Sequence, residues 1–232
     1  MSINVYWACL EDEWLRANKP VPLSKLFYDK KLYINKDVNN GINGCPAVND
    51  DMHNVFGLES IYDYEFTMTN EGVVSPYNDQ LFANRHLVVR SKENKFFTFR
   101  QDLIFFTDEP SLLMTSNMFP YLEDNSVTER CMIPQGTFDI GRWFRNTDFT
   151  FYLKNNYDTF KISFGDIYSY VKFHTTEKIN FIEYRHDEKM SSYLQDVIRA
   201  RNYFPRARSL EEYYFMLKIK KLILLDIKKR IL

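Results

Sequence analysis

Between Arg130 and Phe173, apolar side chains fall on every second position in successive short runs, and that period points to strands. Phe149, Phe151 and Leu153 alternate with Thr150, Tyr152 and Lys154, as in a strand with one buried face. Lys154-Asn155-Asn156 supplies turn chemistry, because Asn tolerates left-handed backbone. Phe160, Ile162 and Phe164 alternate again, and Gly165-Asp166 is a hairpin-turn signal between apolar runs. In the next run Tyr168, Tyr170 and Lys172 take one face, with Val171 and Phe173 on the other. The block is expected to form an antiparallel meander.

The rest of the chain leans the same way. Aromatic residues make up 17%, chiefly 20 Phe and 16 Tyr, and aromatics favour pleated, half-buried surfaces. Ile3–Leu10 reads as a buried strand, followed by an acidic turn and a short helix through Ala17. Asn35–Asp51, rich in Asn, Asp and Gly, reads as a loop. Val55–Met68, with Tyr62, Tyr64, Phe66 and Met68 alternating, reads as a strand, and Pro76–Asn84 as a helical turn or two. His86–Arg90 and Lys95–Phe106 suit a hairpin turning at Ser91–Asn94, and Ile179–Tyr184 is a further strand.

The C-terminal pattern changes to helical. Glu188–Tyr203 is expected to be a helix that stops before Pro205, since the residue preceding proline disfavours helix. Ser209-Leu210-Glu211-Glu212 is a capping box. After it Leu210, Tyr213, Tyr214, Leu217, Leu224, Leu225 and Ile231 recur near helical spacing. Phe215, Ile219, Leu222 and Ile223 widen that stripe, so the helix needs more than one neighbour. Pro205–Arg208 would join the two helices. The expected class is α+β: a β-rich antiparallel sandwich or barrel-like body over residues 1–187, with a C-terminal helical hairpin over 188–232 packed on the body or on a partner.

The net charge is −1, but it is unevenly spread. Lys189–Leu232 holds eleven basic and four acidic residues, a net +7, which leaves −8 for the remainder. Such a tail could meet a phosphate backbone or an acidic partner, or neutralise the body by packing on it. The last is preferred, because charge on amphipathic helices is commonly solvated. A protein partner or self-association through the C-terminal helices therefore ranks above nucleic acid. No apolar stretch has the length of a membrane span, so no membrane contact is expected. Cys9, Cys45 and Cys131 form no Cys-x-x-Cys pair and read as buried free thiols in a reducing interior. Glu11, Asp12 and Glu13 after a short apolar run do not suit a signal peptide.

Catalytic signatures are missing. No P-loop, dinucleotide glycine fingerprint, nucleophile elbow or kinase motif occurs, so no catalytic residue and no cofactor is assigned. His174, Glu183 and His186 could converge on a metal if the Ile179–Tyr184 strand folded back beside Val171–Phe173. Strand-end surface polarity explains them as simply, and no metal is assigned. Gly141-Arg142-Trp143-Phe144-Arg145 is the best place for a small ligand. Its arginines could hold a carboxylate or phosphate while the rings stack on a ligand. Plain packing would instead anchor Trp143 or Phe144 in the core and pair Arg142 and Arg145 with Asp139 and Asp148.

Two resemblances bear on this block. Gly136-Thr137-Phe138-Asp139, with the later Gly165-Asp166-Ile167, loosely resembles trimeric dUTP pyrophosphatases, which implies a water-activating aspartate at Asp139. The Ser-rich phosphate motif and Gly-rich C-terminal arm of that family have no counterpart here. Pro134, Gly136, Phe138, Asp139 and Gly141 through Arg145 form a longer pattern with Phe149, Phe151, Leu153, Gly165, Asp166, Tyr168, Tyr170, Val171 and Phe173. That pattern is similar to uncharacterised proteins of marine, notably cyanobacterial, tailed phages, and more distantly to a bacterial family of unknown function. The phage resemblance runs along most of the chain, including Cys45-Pro46-Ala47, and implies a viral protein working in the host cytoplasm or carried in the virion. The first expectation is thus a non-enzymatic phage accessory or interaction protein. The alternative is a small-ligand or nucleotide-binding β fold, a hydrolase if it is an enzyme, using Asp139, Arg142, Trp143 and Arg145.

Overall fold

The computed structural model describes residues 2–10, 19–29, 45–69, 72–75, 86–154, 157–203 and 220–232. The helix read through Ala17, the turns of Pro76–Asn84, Asn155-Asn156, the Pro205–Arg208 connector and the capping box at Ser209 lie outside them. In chain order the strands are β1 (Ser2–Cys9), β2 (Val21–Pro22), β3 (Val55–Glu59), β4 (Tyr64–Thr69), β5 (Gly72–Val74), β6 (Leu87–Ser91) and β7 (Phe96–Thr107). There follow β8 (Leu113–Met118), β9 (Cys131–Met132), β10 (Gly136–Asp139), β11 (Asn146–Leu153), β12 (Thr159–Ile162), β13 (Ile167–Phe173) and β14 (Lys178–Glu183). The helices among the described residues are α1 (Leu23–Asp29), α2 (Pro46–Met52), α3 (Ser126–Arg130), α4 (Glu188–Tyr203) and α5 (Lys220–Lys228).

The strands make a sandwich, with no sheet closing into a barrel. One sheet runs β14-β1-β7-β11-β9 with β6 also on β7; a second runs β10-β8-β13-β3-β2; a third, smaller one runs β12-β4-β5. All ladders are antiparallel except β1 with β14. The β6–β7 hairpin forms as the sequence suggested, Lys95 taking a positive φ of 47° at its turn.

Alternation along each strand sorts side chains into layers. In β1, Val5 and Trp7 enter the core between the sheets, whereas Tyr6 and Ala8 face the C-terminal helices. In β7, Leu103 and Phe105 take the first side, Ile104 and Phe106 the second. Met190, Leu194 and Val197 of α4, with Ile223 and Ile227 of α5, cover that second side. On the far side of the sandwich, Leu23, Leu26 and Phe27 of α1 pack on Val55, Ile167 and Tyr170. Gly57 leaves room for α1: a Cβ there would sit 2.9 Å from Leu26 Cδ1.

The expected meander does not form, although its strands do. β11 belongs to the first sheet, β12 to the third and β13 to the second. The Phe151 and Phe160 rings instead stack across the core at 4.4 Å, so consecutive strands face each other rather than pair. Gly165-Asp166 is not a hairpin turn but a corner. Tyr64 pairs with Ile162 and Glu59 with Ile167, one register carried from β4–β12 into β3–β13. Between them Ser60 donates to Asp166 O at 2.9 Å and accepts from Gly165 N at 2.9 Å. Gly165 turns the chain with φ +81°, a conformation side chains disfavour. Register irregularities in β13 between Ile167 and Ser169 and between Tyr170 and Lys172 also break its alternation. Tyr168 therefore joins Val171 and Phe173 in the inter-sheet core, and Tyr170 turns to α1 with Ile167.

Three further expectations change. Val55–Met68 is not one strand but two, β3 and β4, which belong to different sheets. The end of the Asn35–Asp51 loop is helical, with Pro46 in the first turn of α2, where a missing N–H costs nothing. All three cysteines are free, but Cys45 is exposed and Cys9 half-buried; only Cys131 is buried, and burial pushes its thiol pKa up.

The chain end clasps the body. Arg185 N donates to Arg230 O and Leu232 N to Glu183 O, so the last residues extend the edge of β14. Asp226, 5% exposed, accepts from Tyr193 Oη at 2.8 Å and lies 2.7 Å from Lys189 Nζ and 3.3 Å from Lys229 Nζ. Lys189 and then Tyr193 hold its carboxyl well below the usual carboxylate range. Arg230 pairs with Asp187 at 2.6 Å, and Lys228 with Asp108 at 3.1 Å.

His186 sits beside this clasp, Nε2 within 3.0 Å of Ser191 Oγ and Nδ1 buried without a hydrogen-bond partner. Burial brings its pKa from 6.5 down to about 4, with Asp187 opposing. The folded pKa lies below the unfolded one, so the unfolded chain takes the proton first. The stability contributed by neutral His186 is complete above about pH 6.5 and is lost as pH falls toward 4. Thermal melts between pH 7 and pH 4.5 should therefore show a steeper loss of Tm in the native chain than in His186→Gln; parallel curves would contradict this.

Candidate functional site

The Arg-Trp-Phe-Arg cluster lies where the chain crosses from β10 to β11, that is, from one sheet to the other. Asp139 ends β10, and its carboxylate folds back over the turn. Oδ1 accepts from Gly141 N at 2.8 Å, and the backbone carbonyl accepts from Arg142 N at 3.1 Å and Trp143 N at 2.9 Å. Arg142 Nε lies 3.4 Å from Asp139 Oδ2. A short acidic side chain suits this role, because it can bond backbone two residues on. With Asp139 only 4% exposed and these contacts in place, its carboxylate serves the turn.

The aromatic residues divide between two sides. Ile140 is buried between the sheets, whereas Phe144 enters the helix-side core edge-on to Phe106 at 5.3 Å. Trp143 is half-buried against Phe138 at 5.2 Å. The Arg145 guanidinium lies over the Trp143 ring, 5.2 Å from its centre. Arg145 Nε is buried with no hydrogen-bond partner among the described residues. Asp148 accepts from Asn146 Nδ2 at 2.6 Å. The structure thus brings Asp139, Arg142, Trp143 and Arg145 together at this crossing, with Arg142 beside Asp139 and Arg145 over Trp143.

The three weak metal candidates stay apart. β14 pairs with β1 rather than with β13, so the condition for their convergence is not met. His174 Nε2 lies 2.7 Å from Thr115 Oγ1, while His186 bonds Ser191. Desolvation and then Lys172 lower the His174 pKa, with Asp51 opposing. Among the described residues no group of three or more His, Cys, Asp or Glu could hold a metal.

Among the described residues of the basic tail, Lys189, Lys228, Lys229 and Arg230 have carboxylate partners in the chain. Between its exposed lysines α5 also leaves apolar side chains outside. Leu222 is 54% and Leu225 58% exposed, followed by Ile231 at 48% and Leu232 at 69%. Leu222, Leu225 and Ile231 belong to the wide stripe read from the sequence; among its described residues Ile223 is buried, as is neighbouring Ile227. Sequence reasoning missed the Thr137–Thr115–His174 chain, whose hydroxyls lie 2.7 Å apart. It joins three strands whose adjacency no local pattern announces.

No helix among the described residues is long and apolar enough to cross a membrane. No family model, no curated protein and no solved structure matches the chain.

Proposed function

We propose that the chain is a non-enzymatic interaction protein, of the accessory kind carried by tailed phages, which works in the host cytoplasm by docking a second copy through α5. One observation carries this reading: Leu222 and Leu225 are both more than half exposed on a helix whose opposite side is locked to the body. Exposed leucines that adjoin one another mark interaction surfaces. Lys221 shares that exposed side, together with Lys228 and Lys229, which also pair within the chain with Asp108 and Asp226. Two such faces would repel, whereas the −8 body of another copy offers the opposite charge. The contact is therefore of the head-to-tail kind.

Light scattering on size-exclusion fractions tests it. At low salt the mass of the wild type should rise above 27.9 kDa with concentration, and salt should reverse the rise. Leu222→Glu/Leu225→Glu, altering only exposed side chains, should stay monomeric under all conditions. A wild type that remains monomeric at every concentration and salt overturns the reading.

A further inference from the structure

A second feature lies away from α5, where α1 and α2 meet the starts of β3 and β14. These elements enclose a groove of about 360 Å³, within the size range of small-ligand sites. Its floor is apolar, made by Leu23, Phe27, Val55, Phe56 and Ile179, all buried. Its rim carries Ser24, Asn49, His53 and Lys178. The rim is braced: Asn54, at φ 54°, donates through Nδ2 to Thr175 O and Glu177 O at 2.8 Å each. Asn adopts this left-handed region readily, and its two side-chain bonds fix the rim to the β13–β14 connection. His53 Nε2 is 3.3 Å from Thr176 O and strengthens the same join.

The electrostatics of the lining select the occupant. It contains one full charge, the Lys178 ammonium, and no carboxylate. Lys178 has no ion-pair partner among the described residues, in contrast to Lys172, which pairs with Asp51 at 2.6 Å, and Lys189. An unpaired cation at the mouth of an apolar groove is matched by an anion with an apolar body. We infer that this groove binds a small amphipathic carboxylate, its chain or ring against Pro22, Met52 and Phe56 and its carboxylate at Lys178. The groove is large enough for an acid of medium chain length or with one aromatic ring, and its open side keeps the complex exchangeable. The inference is independent of the α5 face.

The test is an amide NMR titration of the full chain with octanoate, using octanol and octylamine as neutral and cationic controls. Octanoate is taken to roughly 10 mM, well above the affinity expected of so small a ligand. The expected result is saturable shifts centred on Ser24, Asn49, His53 and Lys178, at least about tenfold tighter for octanoate than for octanol, the order of one charge-assisted contact. Lys178→Gln should remove that difference while leaving octanol binding in place. Ser24→Trp, which adds bulk from the exposed rim without touching the core, should abolish both. The inference is overturned by an absence of saturable shifts, by octylamine binding as well as octanoate, or by titrations unchanged in Ser24→Trp.

Discussion

Replacing Phe151 with alanine should lower stability by about 3–5 kcal/mol, the cost of removing a fully buried ring whose site cannot collapse. Phe151 is 1% exposed and stacks on Phe160 at 4.4 Å, Phe149 at 5.3 Å and Phe97 at 5.5 Å. Those rings sit on strands of two different sheets, so no single movement closes the gap. A void of about 10 Å³, lined by Phe66, Phe97, Phe151 and Phe160, already adjoins the ring and would merge with the new cavity. Domains of this size are stable by about 5–15 kcal/mol, so the loss is a large share of the total. Urea unfolding should show a lower midpoint with little change in slope. A loss below about 1 kcal/mol would mean that the ring does not hold the sheets together.

Phe144→Ala should cost a similar amount, about 3–5 kcal/mol, although it stands inside the cluster that looked most like a site. Phe144 is 1% exposed and ties the β10–β11 crossing to Phe106 and the C-terminal helices. The flanking arginines contribute less. Arg142 is 43% exposed, and Asp139 keeps its Gly141 bond without it, so that pair counts for at most about 1 kcal/mol. Arg145 adds a stacking contact of about 0.5–1 kcal/mol. Arg142→Ala/Arg145→Ala should therefore fold normally and unfold at only slightly lower urea, far above Phe144→Ala. The reverse order would make the arginines the anchor and the ring incidental.

Local pattern and long-range pairing were legible to different degrees. Strand alternation marked β1, the β6–β7 hairpin, β11 and β14, and helical spacing placed α4 at Glu188–Tyr203, because burial periodicity is written in consecutive residues. Pairing is not. Nothing in Gly165-Asp166 distinguishes a hairpin turn from a corner in a continuing ladder; the difference lies at Ser60, a hundred residues away. Tyr168 changed sides because bulges in β13 reset its alternation, and a bulge leaves no mark on a period-two pattern. Asp139 and Arg142 were found by type and spacing, but only geometry showed the carboxylate folded over its own turn. The groove at Lys178 could not be read at all, since its lining comes from three separated segments, none with a motif.

The most direct measurement is amide hydrogen exchange across Lys220–Leu232 at low and at high protein concentration in low salt. If α5 docks a second copy, protection there rises with concentration, a matching stretch of the acidic body slows with it, and Leu222→Glu/Leu225→Glu removes both changes. Exchange that is the same at both concentrations would contradict docking between copies.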